Sequence, residues 1–175
     1  MKVAVALVAV LALSVPLHAY LTKEDNAHLA QLLADADDEA IELASDADDT
    51  QALIGSDEIW LNHALMLAKV KAHVDTLALI VDKLSKAQNS GSQLQREAVE
   101  QMLPLVKELS ANTTAAIDYL NRNKNRPVSD AYVQYLKKNA ETARQLSSMI
   151  SSLVDYEKSM SDIERLRSSL EAPAT

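Results

Sequence analysis

The chain has 175 residues, no cysteine, one tryptophan, five tyrosines, no phenylalanine and a formal net charge of −8. It has no disulfide or thiolate chemistry, and an acidic chain this poor in aromatic rings lacks the basic, stacking surface that nucleic acid requires. Only two glycines break a sequence rich in Ala, Leu and Ser, so the expected class is all-α.

The first residues, MKVAVALVAVLALSVPLHAY, place one Lys before an apolar run from Val3 to Leu13, then Pro16 and the small Ala19. This is the layout of a signal peptide over residues 1–19, with export as its consequence: periplasmic or secreted if the source is bacterial. The run falls short of the roughly 20 apolar residues of a membrane span. No stable membrane insertion is expected after cleavage, and a retained N-terminal anchor is the alternative. Residues 20–171 then form one domain, followed by a short tail, 172–175.

Four helices follow in chain order. The first is expected over 23–45, followed by a loop over 46–56 that holds Gly55. Ser56, with Asp57 and Glu58 behind it, reads as the N-cap of a second helix over 57–88. Asn89-Ser90-Gly91 stops that helix, and Ser92 caps a third over 93–123. Asn125-Arg126-Pro127 breaks the chain again, and Ser129 caps a fourth helix over 130–171. Pro104 lies inside the third helix, where a kink is expected.

Apolar residues recur at alternating spacings of three and four. The second helix carries Trp60, His63, Leu67, Val70, Val74, Leu77, Val81 and Leu84; the third carries Val99, Met102, Val106, Leu109, Thr113, Ala116, Leu120 and Asn123. The first shows Leu29, Leu33, Ala36, Ala40 and Leu43. In the fourth the stripe reads Val133, Leu136, Ala140, Ala143, Ser147, Ile150 and Val154. It then drifts onto Leu153, Tyr156, Met160, Ile163 and Leu170. These stripes predict an antiparallel, up-down-up-down four-helix bundle with heptad-like packing.

Charge is uneven along the chain: residues 20–62 hold twelve acidic groups and one Lys, for −11, and residues 63–175 hold fifteen basic and thirteen acidic, for +2. In the predicted topology the acidic 46–58 region and the basic Asn121–Pro127 loop meet at one end. The runs Asp35–Glu39 and Asp46–Asp49 lack the spacing of a calcium loop. No serine-hydrolase elbow, phosphate-cradling glycine loop or helical zinc-protease motif is present, so no enzyme activity is expected.

Three clusters remain as candidate sites. Trp60, His63, Tyr119, Tyr132 and Tyr135 gather at one end of the predicted bundle, as a pocket or as an aromatic plug. His63 has no histidine or methionine opposite it to complete a haem site, and the c-type attachment motif needs cysteine; no cofactor is predicted. His28 and His73, with Glu24, are the one set of metal candidates. Leu61, Leu65 and Leu79 lie off the seam of the second helix and form a candidate partner surface. The expected function is that of an exported, non-catalytic bundle acting through a protein partner or self-association. The alternative is a bundle in the cell envelope that binds a small ligand, haem or metal.

Overall fold

The computed structural model describes residues 23–54, 59–124 and 128–171. Four helices pack against each other: α1 Lys23–Ala52, α2 Trp60–Ala87, α3 Gln93–Arg122 and α4 Asp130–Glu171, with a short 3-10 turn at Gln88–Ser90. Each helix contacts its two neighbours in the ring α1, α2, α3, α4, the arrangement that four amphipathic stripes joined by short connections dictate. Among the described residues, no helix is long and apolar enough to cross a membrane. The expected signal peptide, Gly55, the Ser56–Glu58 cap, the Asn125–Pro127 break and the 172–175 tail lie outside the described residues.

The stripes of α1, α2 and α3 bury as their spacing requires. Leu29, Leu33, Ala36, Ala40 and Leu43 are all buried, as are the α2 positions from His63 to Leu84 and the α3 positions from Val99 to Leu120. Trp60 and Asn123, at the ends of their stripes, are only half-buried. On α4 the buried set is Tyr132, Leu136, Asn139, Ala140, Thr142, Ala143, Leu146, Ile150 and Leu153. Val133, Ser147 and Val154 sit at the flank instead. Leu136, Ala140, Ala143 and Ile150 of the expected stripe are buried, and the buried face widens from them onto Tyr132, Asn139, Thr142, Leu146 and Leu153.

Two boundaries differ from expectation. α1 does not stop at Ser45 but continues to Ala52. Its apolar face carries on through Ala47 and Thr50, both buried, and the Thr50 hydroxyl donates to the Asp46 carbonyl at 2.6 Å. Packing outweighs the unfavourable placing of acidic residues near a helix C-terminus. α2 begins at Trp60 with Ile59 at its N-cap and no side-chain cap.

The start of α3 is as expected. The Ser92 hydroxyl accepts from the Gln95 amide and the Gln95 side chain accepts from the Ser92 amide, a reciprocal capping box. Gly91 precedes it where a Cβ would lie 2.8 Å from Gln95 Oε1 and 3.0 Å from Leu29 Cδ2, so a side chain there would have to displace the capping Gln95 and the tip of Leu29. The Tyr132 amide donates to the Ser129 hydroxyl at 3.3 Å, capping α4. α3 runs unbroken across Pro104, whose ring is exposed.

The core falls into two apolar clusters. The larger spans all four helices, from Leu29 and Leu84 to Leu109 and Ala140. The smaller joins Leu67, Ala116, Leu120, Tyr132 and Leu136 at the aromatic end, with Ile54 and Trp60 packed against it. Between them lie the buried polar residues Thr50, Thr113 and Asn139. At this level Asn112 Nδ2 donates to the Tyr135 carbonyl at 2.7 Å and to Asn139 Oδ1 at 2.8 Å, clamping α3 to α4. The Thr113 hydroxyl is buried without a hydrogen-bond partner among the described residues, whereas the paired Asn112 and Asn139 are of the kind that a core tolerates and that opposes sliding of one helix along the next.

α4 is 42 residues long against 28 to 30 for the others, about 63 Å against about 42–45 Å at 1.5 Å per residue. Its last turns, from Lys158 onward, are exposed throughout. Tyr156, Met160, Ile163 and Leu170, expected as a drifting core seam, are 48%, 47%, 58% and 86% exposed. The sequence of the true core columns explains why. Leu136, Ala143 and Ile150 lead by steps of seven to Glu157, Glu164 and Glu171, while Leu146 and Leu153 lead to Met160 and Arg167. The core face turns polar after Leu153, and beyond it only α1 continues beside α4, along Val154, Glu157, Lys158 and Ser161.

Candidate functional site

At the aromatic end, His63 and Tyr132 are both fully buried, and the His63 Nδ1 to Tyr132 hydroxyl distance is 3.1 Å. The rings meet edge to face at 5.5 Å, and Tyr132 stacks on Tyr119 at 5.8 Å. The Trp60 indole N–H donates to the Leu120 carbonyl at 3.2 Å. Lys124 places its ammonium 4.7 Å from the Trp60 ring centroid, a cation–π contact. Tyr135 packs on the rim of the cluster. All five candidate residues therefore belong to one region, packed ring on ring around the smaller core cluster. Burial pushes the Tyr132 phenol above its ordinary value because the phenolate would lose its hydration. The pair is built to hold a neutral hydroxyl.

The metal candidates do not come together. His73 Nδ1 lies 2.6 Å from Glu39 Oε1 and 3.9 Å from Glu42 Oε2, and its Nε2 lies 3.3 Å from Asp46 Oδ2. Carboxylates only accept, so a ring nitrogen bonded to one must carry a proton. Glu39 and Asp46 hold opposite edges of the imidazole rather than converging on a shared point. His28 precedes Glu39 by eleven residues on the same helix, about 16 Å along the axis, and is exposed; Glu24 lies a turn further away. The pairing with His73 fails because α1 packs in a register that sets Glu39 and Asp46, not His28, at that level. Among the described residues, no group of three or more His, Asp or Glu could hold a metal ion.

The expected meeting of the acidic 46–58 region with the basic Asn121–Pro127 loop falls in part on residues outside those described. Asp48 pairs with Arg144 on α4, and Lys124 is over Trp60. Residues 55–58 and 125–127 lie outside the described residues. Further polar pairs cross between helices at Asp48–Arg144, Asp37 with Ser151, and Glu108 with Lys138.

Leu61, Leu65 and Leu79 are 48%, 58% and 65% exposed. They share one face of α2, with exposed Ala68 and Ala72 between them, and Leu79 is about 21 Å beyond Leu65. Sequence reasoning missed a second apolar surface, the five side chains Tyr156, Met160, Ile163, Leu166 and Leu170 on α4. Their spacing looked like core, and the signal that separates the two cases is the glutamate column beside them. Glu39 and Asp46 as partners of His73 were also missed, since Asp46 was expected in a loop. No protein-family model, curated protein or solved structure matches the chain.

Proposed function

We propose that the protein is an exported, non-catalytic helical bundle that works by binding a protein partner through apolar helix faces left on its surface. The observation that carries this reading is where the chemistry-bearing side chains are spent. His63, Tyr132, Trp60, His73 and Asn112 are engaged inside the bundle or between its helices. The large exposed apolar residues are instead concentrated on α2 and the end of α4. Exposed apolar strips of this kind mark interaction surfaces more often than chance placement.

The test is site-specific photocrosslinking in cells that export the protein. A photoreactive residue is placed at Leu65, at Ile163 and, as a control, at the exposed Glu100. A discrete protein adduct at Leu65 or Ile163, absent at Glu100, is the expected result. No adduct at either position, or equal smears at all three, would overturn the reading.

A further inference from the structure

We infer that the projecting end of α4 is a docking surface for an amphipathic helix whose apolar stripe is edged by lysine and arginine. The inference rests on the interaction reading above and names the surface and the chemistry of its partner. At 100° per residue, Tyr156 and Leu170 lie within about 20° of Ile163, and Met160 and Leu166 about 60° to either side. The five therefore form one apolar stripe, about 21 Å long, and each is 47% to 86% exposed. The stripe is continuous with a groove between α3 and α4, where Leu94 meets Met149, Leu153 and Tyr156. α3 starts at that level, and α1 runs along the opposite face of α4 beside Val154, Glu157, Lys158 and Ser161, so among the described residues no helix covers the stripe.

Charge identifies the occupant. Asp155 and Asp162 flank the stripe on one side, about 80–100° from its centre, and Glu164 and Glu171 flank it at the same angles on the other. Lys158 points to the back of the helix, and Arg165, rooted there too, reaches round to Asp162 at 3.1 Å. Arg167 is the one base rooted near the stripe, and its guanidinium turns to Glu171 at 3.1 Å. A second copy of the chain would set acid against acid along both edges, the like-charge arrangement that disfavours pairing. Residues 1–22 carry a single base, Lys2, and cannot supply two basic edges. A helix with Lys or Arg beside its apolar seam matches the stripe and both edges. One helix on this length of α4 makes a small contact of the transient class, with strong salt dependence.

The probes are two fluorescent synthetic helices about three heptads long, with Leu at the seam and either Lys or Glu at the edges. Fluorescence anisotropy is read with the chain from residue 20 onward, and melting curves check that each variant is folded. The Lys-edged helix is expected to bind and the Glu-edged one not. Binding should fall at least tenfold in the double variant Ile163→Asp, Leu170→Asp, whose sites are exposed, and again on raising NaCl from about 0.05 M to about 0.5 M. Four results would each overturn the inference: no binding of the Lys-edged helix, equal binding of both probes, undiminished binding to the double variant, or dimerisation that the double variant abolishes. Capture by phosphatidylglycerol vesicles through the same residues would assign the surface to lipid and overturn it too. If Leu65 still gives its crosslink while any of these holds, the docking inference has failed and the interaction reading has not.

Discussion

His63 on α2 and Tyr132 on α4, 69 residues apart, meet diagonally across one end of the bundle with 3.1 Å between ring nitrogen and hydroxyl. Both are sealed from solvent, so each satisfies the other's polar atom where water does not reach. Removing the hydroxyl while keeping the ring isolates this bond. Tyr132→Phe is expected to cost about 1–3 kcal/mol, because a buried imidazole nitrogen loses its partner. Urea denaturation measures it, and a loss under about 0.5 kcal/mol would show that the contact is incidental.

The same hydroxyl gives a pH prediction. Its folded-state value is raised above the ordinary 10 by burial, while in the unfolded chain it ionises near 10. The stabilisation it contributes is therefore fully present below pH about 10 and is lost as pH rises beyond it, because only the unfolded state then releases the proton. The urea midpoint should fall between pH about 9 and about 11, and Tyr132→Phe should fall less steeply. Parallel curves for the two proteins would contradict the assignment.

Leu43 and Ile41 stand two residues apart on α1 and face opposite ways, one fully buried and the other 50% exposed. Leu43→Ala should cost about 2–5 kcal/mol, the range for a large core side chain that leaves a cavity. Ile41→Ala should stay within about 0.5 kcal/mol. Equal, small effects would mean that α1 is not part of the core.

Asn112 donates to both the Tyr135 carbonyl and Asn139. Asn112→Ala should destabilise the fold by about 1–3 kcal/mol, since two acceptors between helices lose their donor. The same bonds explain why the Asn112-Thr113-Thr114 triplet is a poor acceptor for a glycan despite its sequence: the amide nitrogen is spent inside an α3–α4 contact. Mass analysis after secretion from a glycosylating host should show Asn112 unmodified, and an occupied site would contradict the packing of α3 on α4.

Local signals were legible in the sequence and tertiary ones were not. Ser92 and Gln95 announce the start of α3 because a capping box is a four-residue device, and the stripes of α2 and α3 are strict enough to give their buried faces. The end of α1 was hidden because Asp46, Asp48 and Asp49 look like a loop until His73 and Arg144 are known to face two of them. His28 was paired with His73 for the same reason, since the register between α1 and α2 depends on a boundary misplaced by seven residues. On α4 an apolar spacing proper to a core turned out to be exposed. The spacing of Tyr156, Ile163 and Leu170 is helical, but only the neighbouring helices' lengths decide whether anything covers them.

The claim that the interior is filled by its own side chains and that binding happens at the surface is tested most directly by native mass spectrometry of the protein produced in cells from its full sequence. The account predicts the mass of the bare polypeptide beginning at Tyr20. A retained zinc ion or organic molecule, surviving desalting in stoichiometric amount, would contradict it and return His63 and His73 to the list of ligands.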